Sequence, residues 1–316
     1  MTRADELAEE FTRLRSRLTG IAYAIVGTSA EAEDVVSDCW LRLAAADEAE
    51  RVRDVEAWCV VAVSRRALDV LRSARVQRQV YVGPWLPEPV VERAAGAGAG
   101  GRAGGPFLAA AVGGGPADLA ADPADRVTLD DTVSYALMVV LETLTPAERV
   151  VWVLNEVFAV PFPEVARVVG RTPAAVRQLA VRARAHVAAG APRTDVAPAQ
   201  HARTVDAFLA AATGGDLAGL LALLDPDVVL TSDGGGEVSA ARRPVHGADR
   251  VARFVLGIVA KAEPDDEIRR VLVNGGPGLA VYRAGRLSSV GVLTVDGGRV
   301  RRVDLVAAPG KLPHSP

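Results

Sequence analysis

Cysteine is almost missing from this 316-residue chain, which has only Cys39 and Cys59. Both sit inside helical patterns, so no disulfide framework is available, and a reduced, cytoplasmic setting is the expectation. No His/Cys cluster has the spacing of metal ligands, so neither a metal nor a cofactor is expected. Lysine is confined to Lys261 and Lys311, and the other basic residues are arginines. That skew points to a GC-rich genome rather than to special binding chemistry. No apolar run reaches the roughly 20 residues of a membrane span. The stretch Met1 to Phe11 is polar and acidic, unlike a signal peptide. No membrane role is expected.

Net positive charge is also lacking: the formal charge is −3, which counts against a nucleic-acid binder taken as a whole. Charge is local, however. Arg65, Arg66, Arg72, Arg75 and Arg78 crowd one segment with Asp69 as its only acid. Arg167, Arg171, Arg177, Arg182 and Arg184 crowd another, near Glu164. Two basic patches in an acidic chain suggest two contacts with a polyanion, although ordinary solvated helix faces look the same on charge alone.

Length suits two or three domains. Residues 1–82 read as helical. Ala32, Val35, Val36, Cys39, Trp40 and Leu43 form the stripe of an amphipathic helix, with Thr28 or Ser29 at its start. A second helix spans about Val55 to Arg78, with Trp58, Val61, Ala62, Leu68 and Leu71 as its stripe. Arg65 and Asp69 fall within that stripe, and an intrahelical ion pair is the simple explanation. Residues 83–124 read as a flexible Pro/Gly-rich linker. It opens on Gly83-Pro84-Trp85-Leu86-Pro87-Glu88-Pro89, a docking motif, and continues as a Gly/Ala tract from Ala94 to Pro116.

Helices resume over 125–190. Thr145-Pro146-Ala147-Glu148 is a helix start with its cap, and Gly170 ends a short helix from Pro163. Thr172-Pro173 starts another. Helix, Gly turn, helix is the helix-turn-helix layout. Its second helix places Ala174, Ala175, Arg177 and Gln178 where base edges are read, since Arg suits guanine and Gln adenine. Arg171, Arg182 and Arg184 are placed for the phosphates.

After a second linker, 200–308 reads as an α+β domain, with an eight-residue tail at 309–316. Helices come first. Strands near 227–231, 267–273, 279–283, 287–295 and 300–307 follow as an antiparallel sheet, with hairpin turns at Gly275-Gly276 and Asp296-Gly297-Gly298.

These motifs resemble those of bacterial sigma factors of the extracytoplasmic-function group. Glu33-Asp34-Val35-Val36 and Trp40-Leu41-Arg42-Leu43 resemble the region 2 helix that grips the polymerase clamp. Trp58 through Arg72 resembles the helix that recognises and opens the −10 promoter element, although Arg66 stands where the family usually has Asn. Leu144-Thr145-Pro146, Gly170-Arg171-Thr172 and Val176-Arg177-Gln178-Leu179 resemble region 4, which reads the −35 element. The loop Asp47 to Asp54, with Arg51 and Arg53, corresponds to one that captures an unstacked promoter base.

The implied fold is multidomain: two all-α sigma domains, a region 2 bundle and a region 4 helix-turn-helix, then a C-terminal SnoaL-like cone. The implied partners are core RNA polymerase, through Glu33, Asp34, Asp38 and Arg42, and promoter DNA. The −10 contacts would be Arg51, Arg53, Arg65, Arg66, Arg72 and Arg75. The −35 contacts would be Arg171, Thr172, Ala174, Ala175, Arg177, Gln178, Arg182 and Arg184.

A SnoaL-like domain behind region 4 marks one subgroup of the family. Its linker signature is similar to the Trp85 motif. Its loop signature is similar to Asp233-Gly234-Gly235-Gly236, with Glu237 where Lys is frequent, and its terminal motif is similar to Pro309-Gly310-Lys311-Leu312. Resemblance implies that Trp85, Asp233, Gly234, Gly235, Gly236, Lys311 and Leu312 serve regulation, through an intramolecular contact or a small ligand. Two alternatives stay open on the sequence. One is a stand-alone helix-turn-helix regulator with a ligand sensor. The other is a cyclase-type enzyme using Asp233, His246 and Asp249, for which His246 as a loop residue and Asp233 as a turn former are the plainer explanations.

Overall fold

The structure, a computed structural model, describes residues 2–78, 81, 83–93, 133–191, 196–264 and 266–312. The Gly/Ala tract of the expected linker and the expected helix start at Asp125 lie outside these residues, as does the side chain of Arg75. The chain forms two compact units. One holds residues up to 78 together with 137–190; the other holds 81–93 and 196–312.

The first unit opens with helix α1 (Arg3–Val26), whose start is a capping box between Thr2 and Asp5 and whose end is Gly27 at φ 91. Helices α2 (Ser29–Ala49) and α3 (Val55–Arg78) pack on it. Their core joins Leu18, Ile21 and Ile25 of α1 to Val35, Val36, Cys39 and Leu43 of α2. From α3 come Cys59, Val63, Ala67, Leu68 and Leu71.

The apolar stripe of α3 is therefore rotated from the expected one: Trp58, Val61 and Ala62 lie at its margin, half-buried. The rotation carries Arg65 and Asp69 out to solvent. The expected Arg65–Asp69 pair is absent; Asp69 pairs with Arg72 at 3.6 Å instead. Small side chains, Ser64 and Ala67, line the buried face beside Val60 and Val63, so large apolar residues alone do not outline it.

Among the described residues this unit also holds most of α4 (Tyr135–Leu141) together with α5 (Pro146–Trp152), α6 (Phe162–Val169) and α7 (Pro173–Gly190). Helix α5 begins with the expected capping box. Glu148 N donates to Thr145 Oγ1 at 3.3 Å, and Thr145 N donates to Glu148 Oε2 at 3.1 Å. It continues as a π-helical turn, Val153–Val157. Gly170 at φ 65 ends α6, and Thr172 starts α7 by accepting from Ala175 N at 3.3 Å.

Helices α5 and α6 pack against α3, and the π-helical turn packs against α1. The fully buried Arg149 of α5 donates from Nε to the Ala24 carbonyl at 2.9 Å and pairs with Glu142 at 2.5 Å. Arg65 of α3 donates from Nη2 to the Arg167 carbonyl at the end of α6, at 2.8 Å. A cation there suits the negative pole of the helix.

The second unit is a seven-stranded sheet in the order β1-β4-β5-β6-β7-β2-β3. Its strands are β1 (Val91–Arg93), β2 (Leu224–Asp233), β3 (Val245–His246), β4 (Glu267–Val273), β5 (Gly276–Arg283), β6 (Arg286–Asp296) and β7 (Arg299–Val306). Helices α8 (Pro198–Thr213), α9 (Leu217–Leu223) and α10 (Ala248–Val259) cover one face. There Val205, Phe208, Leu220 and Val251 meet Leu230, Leu293, Val295 and Val303.

The sheet is mixed rather than antiparallel throughout, because β2 runs parallel to β7. Nothing local marks such a pairing, which joins segments about 70 residues apart. The hairpins are local: Asn274-Gly275, Ala284-Gly285 and Gly297-Gly298 all have positive φ, as type I′ turns require. Strand β1 lies within the stretch expected as free linker. Val91 to Arg93 pair antiparallel with Val271 to Val273, and Asn274 Oδ1 accepts from Val90 N at 3.1 Å.

Candidate functional site

In the first unit the site residues occupy three surfaces. On α2, Glu33, Asp34 and Arg42 are exposed and Asp38 is half-buried. Glu33 pairs with Arg15 at 2.6 Å, and Asp38 pairs with Arg42 at 3.5 Å and with Arg66 of α3 at 3.2 Å. The unusual Arg66 therefore holds a carboxylate of the neighbouring helix. Leu41, 67% exposed, stands beside Arg42 on the same outer face.

The expected loop from Asp47 is shorter than anticipated, since α2 runs on to Ala49. Asp47 is fastened to Arg3, whose guanidinium donates to it at 2.7 Å and holds its carboxyl down at about 2. Arg51 and Arg53 remain exposed in the turn that follows. On α3, Arg65, Arg66 and Arg72 face solvent.

Helix α7 divides cleanly. Val176, Leu179, Ala180, Ala183 and Val187 are buried, while Ala174, Arg177, Gln178, Arg182 and Arg184 are exposed. Ala175 sits at the boundary, and Arg171 and Thr172 are exposed just before the helix. Some of the cations are tethered. Arg177 lies 5.7 Å over the Phe162 ring, Arg184 pairs with Glu156 at 2.6 Å, and Arg182 approaches Glu148 at 3.9 Å. These tethers aim the guanidinium groups along the flanks of the helix and leave its crest to smaller side chains.

In the second unit, residues far apart in sequence meet at one buried point. Parallel pairing sets Asp233, the last residue of β2, opposite Val306, the last of β7. The Asp233 carbonyl accepts from Ala307 N at 2.8 Å and from Ala308 N at 3.0 Å. The next turn, Pro309–Lys311, is thereby delivered to the Asp233 side chain.

Lys311 Nζ donates to Asp233 Oδ2 and to the Leu86 carbonyl, each at 2.6 Å, and lies 3.0 Å from the centre of the Trp85 ring. Asp233 also accepts from Leu86 N at 2.8 Å, from Gly235 N at 3.0 Å and from the Tyr81 hydroxyl. Tyr81 stacks edge-on against Trp85 at 5.0 Å. A buried charge pair needs its remaining hydrogen-bonding capacity used, and here both members have it used. Gly234 is required by space, because a Cβ there would fall 2.3 Å from the Val238 carbonyl oxygen. Gly235 and Gly236 take positive φ, and Leu312 is buried. An open cleft of about 270 Å³ adjoins the node, lined by Gly83, Ser232 and residues 236–242.

The three residues considered for catalysis are not assembled. Asp233 is sealed in the node and His246 is exposed in β3. Asp249 is held by Arg253 at 3.0 Å, a bond that lowers its carboxyl below the usual range. Neither Tyr81 nor Arg149 is marked in the sequence, and nor is a second buried carboxyl. Asp304, pushed up by burial against the pull of Arg302, sits 2.8 Å from that guanidinium. Among the described residues no helix is long and apolar enough to cross a membrane, and no group of three His, Cys, Asp or Glu is placed to hold a metal ion.

Residues 11–76 match the Sigma-70 region 2 family, 134–187 match Sigma-70 region 4, and 205–307 match the SnoaL-like domain. The chain belongs to the extracytoplasmic-function (ECF) RNA polymerase sigma factors. It is 39% identical to the ECF RNA polymerase sigma factor SigJ of Mycobacterium tuberculosis, over 97% of this chain and 93% of that one. It is 32% identical to the probable ECF RNA polymerase sigma factor SigI of the same species, over 99% of this chain and 97% of that one. The crystal structure of M. tuberculosis SigJ matches with a TM-score of 0.70 at 35% identity, covering 96% of this chain and 97% of that one.

Proposed function

We propose that this chain brings core RNA polymerase to a set of promoters, and that its SnoaL-like domain governs when it does so by holding the segment that follows α3. The reading assigns Glu33, Asp34, Asp38 and Arg42 to the polymerase. It assigns Arg51, Arg53, Arg65, Arg66, Arg72 and Arg75 to the −10 element. Helix α7, with Arg171, Thr172, Ala174, Ala175, Arg177, Gln178, Arg182 and Arg184, is assigned to the −35 element. In this reading no side chain does covalent chemistry, and the protein works in the cytoplasm, beside polymerase and chromosome. Trp85, Asp233 and Lys311 bond to one another, which favours an intramolecular contact over a small ligand as their role.

The observation that carries the reading is the exposed face of α7, where base-reading side chains lie between arginines. A second observation bears on mechanism. The two promoter elements are separated by roughly 25 base pairs, about 85 Å of duplex. In this structure α3 touches α6 through Arg65, so the two DNA readers are adjacent. A chain in this state cannot span a promoter, and loading onto polymerase must part α5 and α6 from α1 and α3.

In vitro transcription with core polymerase on a genomic promoter pool tests the reading. Initiation is expected from a set sharing a −35 and a −10 sequence, the promoter of its own gene being a natural candidate. Arg177→Ala with Gln178→Ala is expected to relax the −35 sequence while leaving core binding intact. Failure to bind core, or to initiate from any promoter, overturns the proposal.

A further inference from the structure

Helix α7 carries one exposed side chain that folding does not explain. Val181 is 62% exposed, one of four large apolar side chains left so among the described residues. Valine is a poor choice for a solvated helix position, since it is β-branched and gains nothing by facing water. At 3.6 residues per turn, Ala174, Gln178, Val181 and Ala185 follow one line along the crest of α7, opposite buried Val176, Ala183 and Val187. Arg177 and Arg184 flank the crest on one side and Arg182 flanks it on the other.

Cations on both flanks commit the occupant of this crest to a polyanion. The alanines leave room for close approach. Val181 lies one helical turn beyond Gln178, so it meets the groove floor deeper along the helix. In the major groove of DNA the apolar feature of a base edge is the C5-methyl of thymine.

We propose that Val181 is a specificity-determining residue of the −35 interaction, packing its methyl groups on the C5-methyl of one thymine next to the base pair faced by Gln178. The proposal rests on α7 being the recognition helix. It adds a contact that is apolar and independent of salt to a surface otherwise made of arginines and an amide.

The test uses the full chain with core polymerase on a promoter selected by this protein. Each −35 thymine is replaced in turn by deoxyuridine, which lacks only the methyl. For the wild type, initiation should fall about fourfold at one position, the equivalent of one buried methyl. Val181→Ala should start about fourfold lower on the natural template and show no further loss at that position. Val181→Thr, which keeps one methyl, should restore the discrimination. Melting curves of Val181→Ala should fall no lower than those of the wild type, since the side chain is mostly exposed and alanine favours the helix.

Equal deoxyuridine profiles for wild type and Val181→Ala would overturn the proposal, as would a Val181→Ala defect of the same size on every template, which marks a polymerase contact instead. Failure of the underlying reading is separable. In that case Arg177→Ala and Gln178→Ala would also leave −35 preference unchanged.

Discussion

Replacing Lys311 with methionine is expected to free the 81–93 segment from the SnoaL-like domain. Methionine keeps the length and apolar stem of lysine but removes the charge. Asp233, fully buried, would keep its bonds from Leu86 N, Gly235 N and Tyr81 but lose its cation. Breaking a buried ion pair from one side costs about 3–5 kcal/mol, because the remaining charge stays uncompensated. The Leu86 carbonyl and the Trp85 ring lose the Lys311 ammonium in the same step.

Hydrogen exchange reads this directly. The Leu86 amide should exchange at least about 100-fold faster in Lys311→Met. The amides of Val91 to Arg93 that belong to the β1–β4 ladder should follow. Adding Asp233→Asn should recover part of the protection, since a neutral amide no longer needs a counter-charge. If Leu86 exchange is unchanged in Lys311→Met, the ion pair does not hold the segment. Promoter-dependent transcription by the same variant then shows whether release activates or silences the protein.

The second large effect is expected at Arg149. Its side chain is 1% exposed and joins α5 to α1 through the Ala24 carbonyl and to Glu142. Arg149→Ala removes the donor to that carbonyl and the guanidinium beside Glu142. Glu142 retains 17% exposure, so water softens the loss, and about 2–3 kcal/mol is the expected cost. For a unit of this size that lowers the calorimetric Tm by roughly 4–12 °C. Arg149→Lys should not rescue, because a single ammonium cannot reproduce the guanidinium fork.

Opening has to break this same link, so core polymerase should bind the folded variant more tightly than it binds the wild type. Stability and core affinity thus move in opposite directions. A loss of both would mean that Arg149 supports the fold alone and does not restrain opening.

How far the sequence disclosed all this depended on range. Thr145 and Glu148 announce a helix start three residues apart, and the structure keeps their reciprocal bonds. The turn at Gly297-Gly298 was legible for the same reason, and that near Gly275 to within one residue, whereas Ala284-Gly285 was not marked. The α3 stripe was misjudged because its buried face is built partly from Ser64 and Ala67, which carry little hydropathy signal. The parallel β2–β7 pairing was invisible, as no turn connects the two strands.

The node around Asp233 shows the contrast within one residue. Asp233 reads locally as a turn former, and it does accept from Gly235 N two residues on. Its other partners stand at positions 81, 86 and 311, and only resemblance to known signatures brought Trp85, Asp233 and Lys311 together beforehand. Tyr81 and Arg149 had no such signal. One is a lone aromatic after a helix, and the other is an arginine among many.

The bond from Arg65 to the Arg167 carbonyl has a consequence for ionic conditions. If Arg65 takes the −10 role proposed for it, it leaves this carbonyl when α6 parts from α3. Attachment to DNA releases counterions and weakens steeply as salt rises, whereas a hydrogen bond to a neutral carbonyl hardly responds. On that proposal a rise in ionic strength would favour the folded-together state, with no signalling ligand required.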